Sequence, residues 1–550
     1  MDLFSRNRPL WDFLQRLVIF SLVISYISLA GADDQSPLGV APVTAAPKRV
    51  AVIGAGSGGS SSAYYLRKFA DLSDIPVNIT VFERASYVGG RSTTVNVFDD
   101  PTYPVELGAS IFVEVNRNLV EAAKEFGLNV NSATQDRPNE SEDSLGIWDG
   151  ERFVFKLSGS SDWWNIAKLL WKYGWAPVRT HNLMKNTVKK FLQLYESPLF
   201  PFKSLTSAAY DTGLLEATSS PGAEFLSKNN ISPDFSREII QASTRVNYGQ
   251  NLPLIHGLET MVCMATDGAM AIEGGNWQIF DGMLRSSGAD VRLNTSVISV
   301  QRNEDGRFTV SSRLSASETE QSLFDEVVIA GPLQYSGIEI SPPLDHAPDK
   351  IPYVTLHVTL FSSPHRISPQ YFNLEGAAAP ETILTTLPRG VDLGSHPAGV
   401  GPAGFWSIST LRQVKPPVES GDGVTAEKHY VYKIFSPERL TANFVADILG
   451  IDKPKGEGNL TIGDLDRKDV SWFHEKTWHS YPYLYPRGTF EEISLGPNIW
   501  YTSGIESFIS TMETSSLMGK NVAGLIVRTW LEERGRDREM PWNRLGKAEL

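Results

Sequence analysis

The stretch that decides the fold reads Arg49-Val50-Ala51-Val52-Ile53-Gly54-Ala55-Gly56-Ser57-Gly58-Gly59-Ser60, followed by a second apolar run, Val77–Phe82, that ends at Glu83. Residues 49–53 predict a short buried strand. Gly54, Gly56 and Gly59 carry G-x-G-x-x-G spacing, and small residues lead from them into a helix expected over 60–69. Strand, helix and second strand make a βαβ unit with an acidic residue closing it, the arrangement that binds a dinucleotide. Each glycine has a reason. Gly54 permits the tight turn, Gly56 lets a pyrophosphate reach the backbone, and Gly59 lets helix and strand pack closely. The helix N-terminus aims unpaired N–H groups at phosphates. Glu83 can accept hydrogen bonds from both ribose hydroxyls and repels a 2′-phosphate.

Outward from this unit, 550 residues exceed what one hydrophobic core usually fills, so at least two domains are expected. With 41% hydrophobic and 21% charged residues the composition is that of a globular protein. A net charge of −13 without a long basic run argues against nucleic-acid binding, which needs clustered Lys and Arg. One cysteine excludes an internal disulfide framework, and the nine histidines show no metal-ligand spacing, so no metal is expected. Cys263, in an apolar context, reads as a buried small hydrophobe.

Arg6, Arg8 and Arg16 flank an apolar run over residues 17–29, followed by Ala30-Gly31-Ala32 and two aspartates. This is the layout of a secretory signal peptide over 1–32. The run of about 13 residues is short of the roughly 20 needed to span a bilayer. A secretory route, ending in a vacuole or lysosome or outside the cell, fits the Asn-x-Ser/Thr sequons. Asn139, Asn230 and Asn459 are the expected glycosylation sites, whereas Asn78 and Asn294 fall at strands and are expected to be poorly accessible.

Beyond Glu83, Val88-Gly89-Gly90-Arg91 resembles the GG-R segment of FAD enzymes of the glutathione reductase and amine oxidase type. The resemblance implies that Arg91, Gly90, Arg84 and nearby backbone hold the cofactor diphosphate, and that Gly108, Ala109 and Ser110, in Val105-Glu106-Leu107-Gly108-Ala109-Ser110, pass near the isoalloxazine ring. Val297 is expected to hold the adenine through its backbone. Residues 324–332 resemble the second nucleotide-domain motif. Residues 499–506, with Gly504 and Glu506, resemble the last FAD motif, with a helix starting near Phe508. The fold class is therefore α/β: a Rossmann-like FAD-binding domain of this type with an inserted mixed α+β substrate domain. The FAD domain is expected over 48–125, 255–335 and 470–535, the substrate domain over 126–254 and 336–469, and a linker over 33–47. A long loop-like stretch is expected over about 386–425.

Several phrases together resemble one family, the prenylcysteine oxidases (prenylcysteine lyases). They include Arg245-Val246-Asn247-Tyr248-Gly249-Gln250, Ala271-Ile272-Glu273-Gly274-Gly275-Asn276, Tyr432-Lys433-Ile434-Phe435-Ser436 and Ser503-Gly504-Ile505-Glu506 with Met512-Glu513. They run in the family's order from about residue 49 to 530. The resemblance implies an FAD-dependent thioether oxidase acting on farnesyl- or geranylgeranyl-cysteine. Hydride leaves the prenyl carbon next to sulfur, water adds, and cysteine and an isoprenoid aldehyde result, with O2 reduced to hydrogen peroxide. Such chemistry asks for a hydride acceptor at close range and an apolar pocket, and for no nucleophilic Ser or Cys. A flavin amine oxidase on the same fold, or a non-catalytic prenyl-lipid-binding flavoprotein, are the alternatives. Turnover of farnesylcysteine against amines, and peroxide release, separate them.

The candidate substrate residues follow from the chemistry. Arg245 and Arg487 are candidates for the cysteine carboxylate, which an arginine fork fits. Tyr248, Tyr481 and Tyr483 are candidates for the prenyl wall, in an aromatic cluster with Trp478 and Tyr485. Resemblance to the amine oxidases, in which a lysine does so, makes Lys433 a candidate to hold a water near the flavin, and His474 and His479 are candidates to move protons near neutral pH. Two residues depart from the family pattern: Val113 where a histidine is common, and Phe508 where a small residue is common. The segment 163–200 is different in character. It mixes tryptophans with lysines and has no acidic residue between Asp162 and Glu196, which reads as a peripheral membrane contact.

Overall fold

The computed structural model describes residues 46–138, 143–158, 162–314, 318–393, 399–417, 427–456, 458–535 and 540–543. Residues 1–32, expected to be a signal peptide, most of the expected linker over 33–47 and Asn139 lie outside them.

Lys48–Ile53 sits in the middle of a six-stranded sheet, paired in parallel with Val77–Phe82 on one side and Glu326–Ile329 on the other. Val50, Ala51 and Val52 are completely buried, as an interior parallel strand covered on both faces requires. Asp290–Arg292 extends the sheet beyond Val77–Phe82. Ile499–Tyr501 extends it beyond Glu326–Ile329, and Ser494–Gly496 closes that edge antiparallel. Strand order reverses at Lys48–Ile53, so the crevice at its carboxyl end is where a dinucleotide seats.

The helix after this strand spans Ser57–Leu72, one turn longer at its start than the sequence suggests. Its first turns pack against the C-terminal helix Met512–Glu533 through small residues. A Cβ at Gly519 would lie 2.3 Å from the Gly58 carbonyl, and Ser61 Oγ meets Ser516 Oγ at 2.6 Å. The last motif also differs from expectation. A 3-10 turn, Ser503–Ser507, follows the strand, and the helix begins at Met512 behind a Thr511 cap.

A second sheet has seven strands, in the order Trp472–Pro482, Tyr353–Ser363, His429–Ser436, Ser407–Val414, Thr382–Thr385, Asp143–Trp148 and Phe153–Ser158. All pairs are antiparallel except Thr382–Thr385 with Asp143–Trp148. Period-2 alternation divides its faces. Tyr432 and Ile434 pack with the helix Ala442–Leu449 on one face, while Lys433 and Phe435 point into a cavity on the other. The loop-like stretch expected over 386–425 is corrected here. Ser407–Val414 is an interior strand whose Ser, Thr, Arg and Gln hid its alternation. A four-stranded sheet, Thr319–Phe324, Phe308–Leu314, Thr295–Arg302 and Glu339–Ser341, flanks the nucleotide-binding end.

Asn230 and Asn459 are exposed. So are Asn78 and Asn294, contrary to expectation: Asn78 points off the sheet between buried neighbours, and Asn294 sits in a left-handed turn before its strand.

Candidate active site

One cavity of about 1440 Å³ runs from the G-x-G-x-x-G loop to the seven-stranded sheet. It exceeds the roughly 300–1,000 Å³ of common small-molecule pockets, leaving room for a cofactor and a second ligand.

At the nucleotide end, Gly54 has φ +113°, and a Cβ there would lie 2.7 Å from the Ala330 carbonyl oxygen. A Cβ at Gly59 would lie 1.9 Å from the Gly54 carbonyl oxygen, so only glycine allows this helix to meet this strand. Gly59 and Ala55 act through the backbone and do not line the cavity. Glu83 does line it, and both its oxygens are held, by the N–H groups of Ala55 at 2.8 Å and Ala85 at 2.7 Å. The GG-R turn lies directly on the glycine loop, with the Gly89 N–H donating to the Ala55 carbonyl at 2.9 Å. Val297 and Arg84 line the same end, and Arg84 donates to the Tyr335 carbonyl. Thr511, Met512 and Thr514 bring the amino end of the C-terminal helix to the groove, which suits an anion.

Arg91 is committed to a protein partner. Its Nη1 and Nη2 donate to the two oxygens of buried Glu506 at 2.9 and 2.8 Å, and Nη1 also reaches the Ser480 carbonyl. Burial works against this cation, but Glu506 more than offsets it and holds the guanidinium pKa above its ordinary value. Gly504 is corrected. It faces Glu491, whose Cβ would lie 2.9 Å from an added Cβ, and it stands outside the cavity.

Midway, Lys433 Nζ donates to Ser110 Oγ at 2.9 Å and to the Glu106 carbonyl at 3.1 Å. Burial brings its pKa down to about 8, with the charge of Glu106 opposing the shift and that of Arg137 adding to it. Glu106 lies beside it, its Oε1 accepting from the Asn276 N–H at 2.6 Å and its Oε2 buried with no partner. Burial lifts this carboxyl to about 8. Gly108, Ala109 and Ser110 line this part of the cavity, Ala109 with φ +51°. A carboxyl and an amine with pKa values moved toward one another, at the junction of groove and chamber, are the groups a proton-transfer site needs.

Beyond Lys433 the chamber is largely apolar. The helix Ala176–Phe191 contributes Val188 and Phe191, and Tyr248 and Tyr481 meet edge-on at 5.0 Å. Cations on its walls include Arg137, Arg412, Lys433 and Lys476. Arg137 donates to Thr382 Oγ1 at 2.7 Å. A bulge between Thr410 and Arg412 puts Arg412 opposite Val431, on the same face as Lys433. Arg412 Nε is buried without a partner, while its Nη2 lies 3.5 Å from Asp136.

Four of the catalytic and substrate residues nominated from sequence are elsewhere. Arg245 is fully buried outside the cavity, donating to Thr385, Asn251 and the carbonyls of Gly399 and Val400, with Trp406 against its guanidinium. It anchors a loop. Arg487 pairs with Glu491 and Asp349. Tyr483 stacks on Tyr485 away from the chamber, and His474 stacks on Trp472 further along its strand. Of the two departures, Val113 lines the cavity, whereas Phe508 packs into the core against Phe490 and leaves the pocket to Ile509. His479 does line the cavity, but it stacks on Tyr335 at 4.4 Å. Sequence reasoning passed over Glu106, although the segment around it was singled out. Arg412 was hidden by the bulge, which breaks period 2, and Arg137 carries no local signal.

The fold is that of the flavin amine oxidases. A putrescine oxidase variant superimposes with a TM-score of 0.52 at 15% identity, covering 88% of this chain and 99% of the other. Cyclohexylamine oxidase from Brevibacterium oxydans gives 0.51 at 16% identity with the same coverage. The Rossmann-like NAD(P)-binding domain model matches residues 52–136 and the prenylcysteine lyase model matches residues 157–537. Farnesylcysteine lyase of Arabidopsis thaliana is 28% identical over 92% of this chain and 91% of its own length. Prenylcysteine oxidase 1 of Bos taurus is 30% identical over 90% and 91%. The chain belongs to the prenylcysteine lyase family.

Proposed function

We propose that this protein is an FAD-dependent oxidase that cleaves the thioether of a prenylcysteine. The balance is prenylcysteine, O2 and water giving cysteine, isoprenoid aldehyde and hydrogen peroxide. The observation that carries the reading is the continuity of the cavity: a dinucleotide groove opens, past Lys433 and Glu106, into an apolar chamber with cations on its sheet wall. Family membership supports it.

The groove fits FAD. Gly54 and Gly59 admit no Cβ, the amide N–H groups of the loop suit a diphosphate, and Glu83 suits a ribose. When bound, FAD supplies a two-electron acceptor for the C–H bond beside sulfur and returns those electrons to O2. The protein's residues do the rest. Apolar walls around Val188, Phe191 and Tyr481 hold the prenyl chain and exclude bulk water. Arg412 and Arg137 face the carboxylate of the cysteine head group. Lys433, tied to Ser110, orients a water for addition to the carbon that loses hydrogen. The protonated Glu106 carboxyl holds a proton at Oε2 for the departing thiolate. A secretory location is part of the same reading, supported by the leader-like segment 1–32 and the exposed sequons Asn230 and Asn459.

The test is anaerobic mixing of flavin-loaded protein with farnesylcysteine, following flavin absorbance, with farnesol as the control. Bleaching that air reverses with release of peroxide is the expected result. Bleaching by polyamines or aromatic amines instead refutes the substrate and keeps the fold.

A further inference from the structure

Six of the fifteen exposed large apolar side chains among the described residues fall within 164–178. Trp171 is 90% exposed and Trp175 is 69% exposed, with Ile166, Leu170 and Val178 beside them in sequence. Trp164, Ile166, Leu170 and Trp171 lie on the helix Asp162–Tyr173 and Val178 on the helix Ala176–Phe191, while Trp175 sits in the tight turn that joins them beside Gly174 at φ +60°. Trp164, Lys168 and Trp171 recur at i, i+4 and i+7 and so share one face of the first helix. On the second, Val178, Asn182, Lys185 and Lys189 do the same, and all four are exposed.

Charge sorts these residues further. Lys172 is committed to Glu238 at 2.7 Å, and Arg179 and Lys190 are tied to the carbonyls of Asn230 and Gly213. Lys185 and Lys189 point outward, and the segment from Trp163 to Tyr195 holds no carboxylate to offset them, in a chain of net charge −13. A tryptophan-rich face bordered by outward lysines matches the interfacial zone of a bilayer, where indoles sit at headgroup level and lysine stems bury while their ammonium groups meet lipid phosphates. A protein partner of this acidic molecule has no comparable reason to find lysine gathered here.

The second helix also connects this face to the cavity. Val178 lies at the exposed end, while Thr187, Val188 and Phe191 line the chamber, about 14–20 Å further along at about 1.5 Å per residue. Ile111 and Val115, both exposed, line the same cavity.

We infer that the helical hairpin 162–191 is a membrane-docking element that seats the protein on the surface of an anionic phospholipid bilayer. The docking surface stands on its own geometry. Its benefit to a prenyl-chain substrate, which partitions into lipid, rests on the function proposed above.

The experiment is flotation of purified full-length protein with vesicles of phosphatidylcholine alone or mixed with phosphatidylglycerol. Wild type is expected to float with the anionic vesicles and to be released by salt. Trp171→Glu/Trp175→Glu is expected to lose at least about tenfold in apparent binding, and Lys185→Glu/Lys189→Glu to lose the preference for anionic lipid. All carry the same N-terminus, so the differences report the hairpin. Quenching of wild-type tryptophan fluorescence by brominated phosphatidylcholine tests the idea without any substitution. Wild type that stays unbound, or Trp variants that float like wild type, overturns it. So does a wild-type dimer that becomes monomeric in the Trp variants without lipid, which assigns the face to a second copy. Turnover of a short-chain, water-soluble prenylcysteine analogue is expected to be unchanged in the Trp variants. Failure of docking and failure of the substrate reading are thereby told apart.

Discussion

Replacing Glu506 by alanine tests how the nucleotide end is held together. The change removes both acceptors of Arg91, at 2.9 and 2.8 Å, and the acceptor of the Tyr353 hydroxyl at 3.2 Å. Glu506 is almost wholly buried, whereas the Arg91 side chain keeps 36% of its accessibility. Removing one partner of a buried pair costs about 3–5 kcal/mol, and partial solvation of Arg91 together with its bond to the Ser480 carbonyl places this case at the low end, about 3 kcal/mol. That is roughly a hundredfold in the unfolding equilibrium. The assay is urea unfolding followed by tryptophan fluorescence, on flavin-loaded and flavin-free protein, for Glu506→Ala, Arg91→Ala and the double variant. A coupling of about 2 kcal/mol between the two positions is expected, since they act as one unit. Strict additivity, with coupling under about 0.5 kcal/mol, would refute the reasoning and return Arg91 to a purely cofactor-facing role.

The other expectations are briefer. Gly59→Ala drives a Cβ to 1.9 Å from the Gly54 carbonyl oxygen, so the variant should be purified colourless or not folded at all. Lys433→Met should slow flavin reduction and turnover by about 10²–10⁴ while leaving FAD bound, and stopped-flow absorbance checks both. Arg412→Ala should lower kcat/KM for farnesylcysteine by about 10–100-fold, the value of a charge-assisted hydrogen bond, and leave an analogue lacking the carboxylate unaffected. Stability should fall by about 4 kcal/mol from pH 6.5 to 8. Burial raises Glu106 and Glu259 to about 8 and Glu326 and Glu513 to about 7, so the folded state holds protons the unfolded chain has released, and stability is lost as pH rises through those values, with Lys433, lowered to about 8, offsetting a small part. Below pH 6.5 buried His256, lowered to about 4, opposes this slope without reversing it, because one imidazole that charges only in the unfolded chain is outnumbered by the buried carboxyls that keep their protons only in the folded state. A urea midpoint that is flat or rising between pH 6.5 and 8 contradicts this.

The nucleotide end was legible because its constraints are local. Strand, glycine spacing and Glu83 lie within some 35 residues; Gly59 answers to the Gly54 carbonyl a few positions away and Gly54 to Ala330 at the end of one neighbouring strand. The substrate chamber was legible only in part. Lys433 follows from strand alternation around Tyr432 and Ile434, so its direction could be read. Arg412 sits past a bulge, which inverts the parity that such reading relies on. Arg245 shows the opposite failure. A specific phrase of sequence marked it as important, which it is, but as a buried clamp on the segment around Gly399 and Val400 and not as a ligand group. Nothing local distinguishes an arginine that meets carbonyls from one that meets a substrate. Tyr483 and His474 failed for a simpler reason: the cavity ends before it reaches them on their own strand and turn.

The central parallel sheet has a consequence for how the protein is made. Its first strand, Lys48–Ile53, needs Glu326–Ile329 as a neighbour and Ile499–Tyr501 beyond that, and the helix Ser57–Leu72 needs Met512–Glu533 against it. About 450 residues separate the first of these partners from the last. At about 5–20 residues per second, a ribosome takes roughly 20–90 s to deliver them. Throughout that interval the nascent chain carries an unpaired strand edge and a helix face of glycine and serine with nothing on it. The glycine loop is therefore among the first parts of the fold to be synthesised and among the last to acquire its shape. Nascent chains stalled before residue 499 should bind holding chaperones and should not retain flavin.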